Sequence, residues 1–345
     1  MKTFVIAEAG VNHNGSEALA LQLVETAARC GADAVKFQTF SADKLVRKGA
    51  EKAAYQKAAT GDGDQHSMLK QLEMSPQLHE KLMQRCQTLG IEFMSTPFDA
   101  DAADFLLSLG MRRIKVPSGE ITNTPFLRFL AAKNVPLIVS SGMATLAEVE
   151  QAVAVITQER ARLGLMQPLG EMLTLLHCTS NYPASPSDVN LRAMQTMAQA
   201  TGLPVGYSDH TLGLAVSTAA VALGATVIEK HFTMDKSLPG PDHPASLDPQ
   251  ELGQLVVQVR AAEQALGSAV KAPVVSELPV RALVRRSVSL ARDMAPGEPL
   301  RAQDLCLLRP GTGIPPAELE AVIGRELKRA LPAGSTLAWA DLETA

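Results

Sequence analysis

Two stretches decide the fold: Pro204-Val-Gly-Tyr-Ser-Asp-His210 and Thr226-Val-Ile-Glu-Lys-His231. Each is a short apolar, β-rich run that ends in polar residues and a histidine. If the runs are neighbouring parallel strands, both imidazoles project from one rim of a sheet, with room between them for a metal and a substrate. Six earlier runs have the same form: Thr3–Ala7, Ala34–Gln38, Glu92–Ser95, Arg113–Val116, Leu137–Ser140 and Leu173–Leu176. Amphipathic stretches such as Ser16–Cys30, Pro76–Leu89, Ala100–Leu109, Thr145–Thr157 and Leu214–Leu223 separate them, and several end at glycine, as left-handed helix caps do. Eight βα units in about 265 residues predict an α/β chain folded as a closed (β/α)8 barrel, whose active site forms at the C-terminal ends of the strands. An open doubly wound sheet is the rival.

The rim residues favour the barrel. After the successive runs come Glu8, Lys36 and Gln38, Ser95 and Thr96, Lys115 with Ser118 and Glu120, Ser140 and Ser141, His177 and Thr179, Asp209 and His210, and Glu229 and His231. The polar segment from about Lys44 to Gln71 lacks period and reads as a long loop over the mouth, a position commonly held by lids. Residues 1–266 form the barrel unit, 267–284 a linker, and 285–345 a small β-rich domain. That last part carries a repeat offset by 37 residues, Gly297-Glu-Pro-Leu300 with Asp304-Leu305 recurring as Gly334-Ser-Thr-Leu337 with Asp341-Leu342.

Composition narrows the chemistry. The chain has 345 residues, 46% of them hydrophobic, and a net charge of -4, which gives no bulk reason to expect nucleic acid or a membrane surface as partner. Cys30, Cys86, Cys178 and Cys306 are far apart with no CxxC pair, which points to a reducing, cytoplasmic setting rather than a structural zinc site. No run of about 18 uncharged apolar residues suggests a membrane span. A small molecule is the expected partner.

His210 and His231 together read as a two-histidine site for a divalent metal, with manganese or magnesium expected and cobalt or zinc able to substitute. His13, His177 and His243 read as hydrogen-bonded rim residues, and His66 and His79 as surface residues. Lys36 and Lys115 sit in or beside apolar strands, where a lysine is costly unless it is paired or faces a polar cavity. With Ser118-Gly119, Ser140-Ser141-Gly142 and Thr179-Ser180 they imply an anionic ligand. One of these lysines could instead form a Schiff base. Glu8 and Glu120 are the carboxylates placed for proton transfer, a salt bridge to Lys115 being the alternative for Glu120.

Taken together, Glu8-Ala-Gly-Val-Asn-His-Asn-Gly15, Val35-Lys-Phe-Gln-Thr39, Lys115-Val-Pro-Ser-Gly-Glu120, Ser140-Ser-Gly-Met143, Tyr207-Ser-Asp-His-Thr211, Glu229-Lys-His-Phe232 and Pro239-Gly-Pro-Asp242 resemble the sialic acid synthase family over nearly the whole chain. The C-terminal part, with Leu308-Arg-Pro-Gly311, looks like that family's antifreeze-like (SAF) domain. The resemblance implies a transferase that condenses phosphoenolpyruvate with an N-acylated mannosamine-type sugar and releases phosphate by C–O cleavage. It implies that His210 and His231 hold the metal, that Lys115, Ser118, Ser140 and Tyr182 surround phosphoenolpyruvate, and that Lys36 is a further anion-site lysine. Ser180 belongs to the same hydroxyl set. Glu120 is implied in water or proton handling, and Glu8, Gln38 and Asp242 at sugar hydroxyls. A domain-swapped homodimer is implied too, with Arg309 reaching the acyl group of a sugar in the other subunit. N-acetylmannosamine, giving N-acetylneuraminate, is the first expected sugar; 2,4-diacetamido-2,4,6-trideoxymannose, giving N,N'-diacetyllegionaminic acid, is the second. Another metal-dependent barrel aldolase and a non-catalytic saccharide-binding protein are the competing readings.

Overall fold

All eight runs are strands in the computed structural model, which describes residues 2–343. They are β1 (Phe4–Gly10), β2 (Ala34–Thr39), β3 (Glu92–Pro97), β4 (Ile114–Val116), β5 (Leu137–Ser140), β6 (Leu173–Cys178), β7 (Val205–Asp209) and β8 (Val227–His231). The strands are parallel and ordered β3-β2-β1-β8-β7-β6-β5-β4. β1 pairs with both β2 and β8, while β3 and β4 are neighbours that bring the ring to near closure without a hydrogen-bonded ladder. Each strand thus lies beside its sequence neighbour, with no reversal of order, so the doubly wound alternative is excluded. β1, β3, β6, β7 and β8 run two or three residues beyond their expected ends. The added stretches carry Glu8, Thr96, Cys178, Ser208 and His231 to the wall of a polar cavity, so the strand continues where hydropathy alone predicts a loop.

Strand alternation divides the barrel interior into layers. Ile6, Ala34, Met94, Ile138, Leu176 and Val227 form a dry inner cluster. Two residues further along the same strands, a period of two returns Glu8, Lys36, Thr96, Ser140, Cys178 and Glu229 to the inner side, where they line one narrow cavity. The intervening residues, such as Val5, Ala7, Val35, Phe37, Leu175 and Ile228, pack outward in the large core shared with the helices. Each fully buried aliphatic side chain there contributes roughly 1.5–3 kcal/mol. Gly206 belongs to the apolar layer of β7: a Cβ there would sit 2.4 Å from the Val227 carbonyl oxygen and 2.7 Å from Leu176 Cδ2.

The ends of β7 and β8 are tied by a buried network. Lys230 Nζ lies 2.8 Å from Asp209 Oδ2 and donates to the Thr211 carbonyl at 2.6 Å. Asp209 also accepts from the Thr211 amide, the Thr211 hydroxyl and the Ser217 hydroxyl. Since His210 and His231 are the next residues in the chain, this network fixes the backbone that aims both imidazoles.

The helices Glu17–Arg29, Pro76–Leu89, Ala100–Ser108, Leu146–Arg162 and Ala215–Ala222 occupy the expected stretches. The segment after β2 differs from expectation. It holds three short helices, Ala42–Leu45, Ala54–Thr60 and Gln65–Lys70, the last capped by the Asp64 carboxylate, which accepts from Ser67 N. Helices of four to seven residues are too short to imprint a period on the sequence. Among the described residues no helix is long and apolar enough to cross a membrane, and the four cysteines are free.

The chain divides into two units, Met1–Gly267 and Ser268–Ala345. The stretch read as linker contains a helix, Leu278–Val284. In the second unit β9 (Ser287–Leu290) pairs antiparallel with β10 (Leu305–Leu308) over a core that includes Val288, Leu300, Leu337 and Leu342. The sequence repeat is a structural one: Arg292 pairs with Asp304 at 2.7 Å and Arg329 with Asp341 at 2.8 Å, each aspartate ending a short 3-10 turn.

Gly206→Ala is expected to lower the unfolding free energy by about 1–3 kcal/mol, because its Cβ meets a backbone oxygen that cannot move aside. Gly253→Ala, in the helix Pro249–Leu266 with its Cβ 3.8 Å from the nearest atom, is expected to raise it by about 0.5–1 kcal/mol. Urea denaturation of both variants checks the pair, and equal effects would contradict the layer assignment.

Candidate active site

The inward polar layer is a chain of alternating charges. Glu8 Oε2 lies 2.7 Å from Lys36 Nζ, and Glu229 Oε1 lies 3.7 Å from Lys36 Nζ and 3.6 Å from Lys115 Nζ. All four residues are buried. Lys36 also donates to Thr96 Oγ1 at 2.9 Å, Gln38 Nε2 donates to Glu8 Oε1 at 3.2 Å, and Ser208 donates to Glu229 Oε1 at 3.2 Å. Burial pushes the Glu8 carboxyl up to about 7 against the opposing pull of Lys36. Burial pushes Glu229 the same way, but Lys115 and Lys36 outweigh it and hold that carboxyl below its usual range. Lys36, flanked by two carboxylates, stays above the usual lysine value despite burial, whereas burial wins at Lys115 and lowers it.

Across this layer stand the two histidines, ring centroids 5.6 Å apart. His210 Nδ1 donates to the Thr179 carbonyl at 2.6 Å, which leaves the Nε2 lone pair free. His231 Nδ1 is buried without a hydrogen-bond partner, 3.8 Å from Asp242 Oδ2. Burial holds His210 below the usual imidazole value and His231 well below it, where His210 and the nearby lysines add to the effect. Both are therefore neutral near pH 7, the form in which imidazole ligates metal. Among the described residues no group of three or more His, Cys, Asp or Glu side chains converges as a metal cage. The donor set is a two-histidine pair, which fits an ion that keeps open positions for water and substrate oxygens.

Tyr182 covers the pair, its ring 4.0 Å from that of His210 and 5.6 Å from that of His231. Tyr55, from the helical segment after β2, stacks on Tyr182 at 5.1 Å. Gly142, at φ +48°, carries the turn after β5 so close to Ser118 and Ser180 that a Cβ would lie 2.3 Å from Ser118 Cβ. Ser118 Oγ and Ser180 Oγ are 3.3 Å apart, and Ser140 Oγ is buried with no partner.

Two contiguous cavities result. The narrow one, about 60 Å³, is lined by Glu8, Lys36, Lys115, Ser118, Ser140, Glu229 and both histidines among others. The wider one, about 350 Å³, is lined by Gln38, Tyr182, His231, Glu120 and Asp242 together with apolar side chains such as Phe40, Leu45 and Phe98. The two share Gln38, Phe98, Pro117, Tyr182 and His231.

Of the residues expected at the site, Glu8, Lys36, Gln38, Lys115, Ser118, Ser140, Tyr182, His210 and His231 meet around the narrow cavity. Ser180 sits against Ser118, while Glu120 and Asp242 line the wider cavity. Burial raises the Asp242 carboxyl to about 6. The salt bridge considered for Glu120 is absent: Asn123 Nδ2 donates to its carboxylate at 2.6 Å, and the partner of Lys115 is Glu229. Glu229, a rim residue to which the sequence alone assigns no role, pairs with both lysines, and its period-two register with Val227 is what carries it inward. Arg309 lies in the second unit, exposed just after β10.

His66 and His79 are buried rather than superficial. His66 Nε2 pairs with Asp43 at 2.8 Å, and His79 bonds the Ser75 carbonyl and the Thr39 hydroxyl, both at 2.8 Å. His13, His177 and His243 are hydrogen-bonded to the Gly15 amide, the Val189 carbonyl and the Thr233 hydroxyl respectively.

Comparison with known proteins agrees with the fold. Residues 23–271 match the NeuB family and residues 285–343 the SAF domain. The chain is 56% identical to the N,N'-diacetyllegionaminic acid synthase of Legionella pneumophila, over 99% of this chain and 95% of that protein. It is 46% identical to the Campylobacter jejuni protein of the same name, over 94% and 95%. Among solved structures, the N-acetylneuraminic acid (sialic acid) synthetase of Leptospira borgpetersenii in complex with citrate superposes with a TM-score of 0.71 at 33% identity, covering 81% of this chain and 90% of that one. The chain belongs to the NeuB family and is an enzyme of its phosphoenolpyruvate-condensing transferase kind.

Proposed function

We propose that this enzyme condenses phosphoenolpyruvate with 2,4-diacetamido-2,4,6-trideoxymannose, releasing phosphate and forming N,N'-diacetyllegionaminic acid. The observation that carries this reading is the junction of the two cavities: a lysine-lined pocket for a small polyanion adjoins, at His231 and Tyr182, a larger chamber that no lysine or arginine lines. Such a junction suits a condensation between an anion and a neutral sugar. N-acetylmannosamine, the sugar expected first, gives way to the second because relatives at 56% and 46% identity carry the legionaminic acid name.

In this reading Lys36 and Lys115 hold the phosphate and carboxylate of phosphoenolpyruvate, with the hydroxyls of Ser118, Ser140, Ser180 and Tyr182 around it. Their charges are in place before the substrate arrives, so little reorganisation opposes the reaction. Glu8, Gln38 and Asp242 take the sugar hydroxyls. The C2–C3 π electrons of phosphoenolpyruvate form a bond from C3 to the aldehyde carbon as the aldehyde C=O π bond breaks and its oxygen takes up a proton, leaving an oxocarbenium at C2. Water adds at C2, its proton passing to a carboxylate for which Glu120 is our assignment; the C2–O bond to phosphate then breaks as the new C2 hydroxyl gives up its proton, leaving a ketone and free phosphate. His210 and His231 would hold a divalent ion, manganese before magnesium or cobalt, which when bound supplies a Lewis acid for the aldehyde. We further propose a cytoplasmic, domain-swapped homodimer in which Arg309 of the partner subunit reaches an acyl group of the sugar.

Phosphate release from phosphoenolpyruvate, measured with manganese and a panel of acylated hexosamines, is expected to give its highest kcat/KM with the 2,4-diacetamido sugar, with a product mass equal to both substrates plus water minus phosphoric acid. No product with any sugar would overturn the function, and a higher kcat/KM for N-acetylmannosamine would restore the first expectation. His210→Ala and His231→Ala are each expected to cost at least about 100-fold in turnover while leaving the thermal unfolding transition near that of the parent. Full activity of either variant after chelation would contradict the metal assignment.

A further inference from the structure

We infer that Tyr55 is a positioning residue: from the helical segment after β2 its ring braces that of Tyr182, and so holds Tyr182 where it lines both cavities and covers His210 and His231; this rests on the function proposed above. Tyr182 needs such a brace. It projects from the loop after β6 with exposed neighbours on both sides, Asn181 and Pro183, so the loop itself gives the ring little support. Two aromatic neighbours hold the ring instead. The His210 imidazole lies 4.0 Å from it and the Tyr55 ring stacks on it at 5.1 Å, with interplanar angles of 33° and 30°. Tyr182 lines the narrow cavity and the wide one, and Tyr55 lines the wide one beside it.

The segment that presents Tyr55 is tied into one piece. Tyr55 is the second residue of the helix Ala54–Thr60. The Gln65 amide donates to the Ala50 carbonyl at 2.9 Å, so the two ends of residues 50–65 meet in a compact closed loop. Inside it Lys52 Nζ donates to Thr60 Oγ1 at 3.0 Å and to the carbonyls of Gly61 and Asp62 at 3.1 and 3.2 Å, which caps the C-terminal end of the helix. Gln56 Oε1 accepts from the Ala53 amide at 3.0 Å and from Gln65 Nε2 at 3.2 Å. These bonds hold together a helix of 7 residues that would not persist alone in water. None of them reaches the barrel, so the seat of the loop over the mouth rests on side-chain packing, in which Tyr55 on Tyr182 is the contact that leads to the reacting groups. A stacked aromatic pair is worth about two- to twelvefold in the population of the stacked arrangement. Tyr55 therefore sets how much of the time Tyr182 stands in place, while the lysine-lined pocket is walled by Tyr182 and not by Tyr55.

The test is calorimetric titration of phosphoenolpyruvate into the full-length enzyme without sugar or metal, comparing the parent, Tyr55→Phe, Tyr55→Leu, Tyr182→Leu and the double variant Tyr55→Leu with Tyr182→Leu. Tyr55→Leu should weaken binding about two- to twelvefold, and Tyr55→Phe, which keeps the ring, should bind within about twofold of the parent. In the Tyr182→Leu background the same Tyr55→Leu change should cost less than about twofold, because the brace has nothing left to hold. Thermal unfolding of each variant is followed alongside, and Tyr55→Met takes the place of Tyr55→Leu if the latter melts early. A loss in Tyr55→Phe equal to that in Tyr55→Leu would make the hydroxyl the working group and overturn the brace. Additive losses in the double variant, or parent-like binding by Tyr55→Leu, overturn it as well and leave the proposed function standing. A parent enzyme that does not bind phosphoenolpyruvate overturns the proposed function and the inference together.

Discussion

The buried charge chain Glu8–Lys36–Glu229–Lys115 is the constraint around which the rest of the barrel is arranged. Charges taken out of water cost several kcal/mol each unless opposite charges and hydrogen bonds replace the solvent, and even then such groups seldom stabilise a fold relative to apolar residues. Their place at the centre of the barrel is therefore not explained by stability alone. With Glu8 ionised, two carboxylates and two ammonium groups sum to zero, which offsets part of the cost of burying them. Glu229 bridges both lysines at more than 3.5 Å, longer than the 2.7 Å contact of Glu8 with Lys36, so the side of Lys115 away from Glu8 is the less satisfied part of the chain. Burial lowering the Lys115 pKa expresses the same deficit: its ammonium gains most from a further anion.

Holding these charges requires the geometry below them. The apolar layer of Ile6, Ala34, Met94, Ile138, Leu176 and Val227 closes the barrel interior beneath the charged layer and denies it water from that side. Because both layers come from the same strands, two residues apart, the site cannot shift without breaking the core. Gly206 shows how tightly the lower layer is filled, and the Asp209–Lys230 pair shows the upper rim pinned outside the cavity. The histidines are thus aimed by structural residues one position away in the chain, which themselves line neither cavity.

Much of this was legible in the sequence because strand period and βα repetition are local properties. Eight strands, their parallel order, the rim positions of His210 and His231 and the 37-residue repeat all follow from patterns a short window contains. Partnerships did not. That Lys115 faces Glu229 rather than Glu120 depends on the register between β4 and β8, which sit on opposite sides of the ring. His66 and His79 read as superficial because their neighbours are polar, yet helices folded over β2 bury them. The helical segment from Ala42 to Lys70 escaped notice because its helices are stabilised by tertiary packing, seen in Tyr55 against Tyr182, rather than by a long amphipathic repeat. The wide cavity is walled by residues at the ends of, or following, six strands, β1, β2, β3, β4, β6 and β8, and no single motif encodes it.

The central claim is that the buried lysines of the charge chain form the seat of a polyanion. Its most direct test is calorimetric titration of phosphoenolpyruvate into the enzyme without sugar, comparing the parent with Lys115→Met. A loss of affinity of at least about tenfold is expected, since an ion pair with a desolvated phosphate or carboxylate is removed while the volume is kept. Unchanged affinity in a variant that melts like the parent would contradict it.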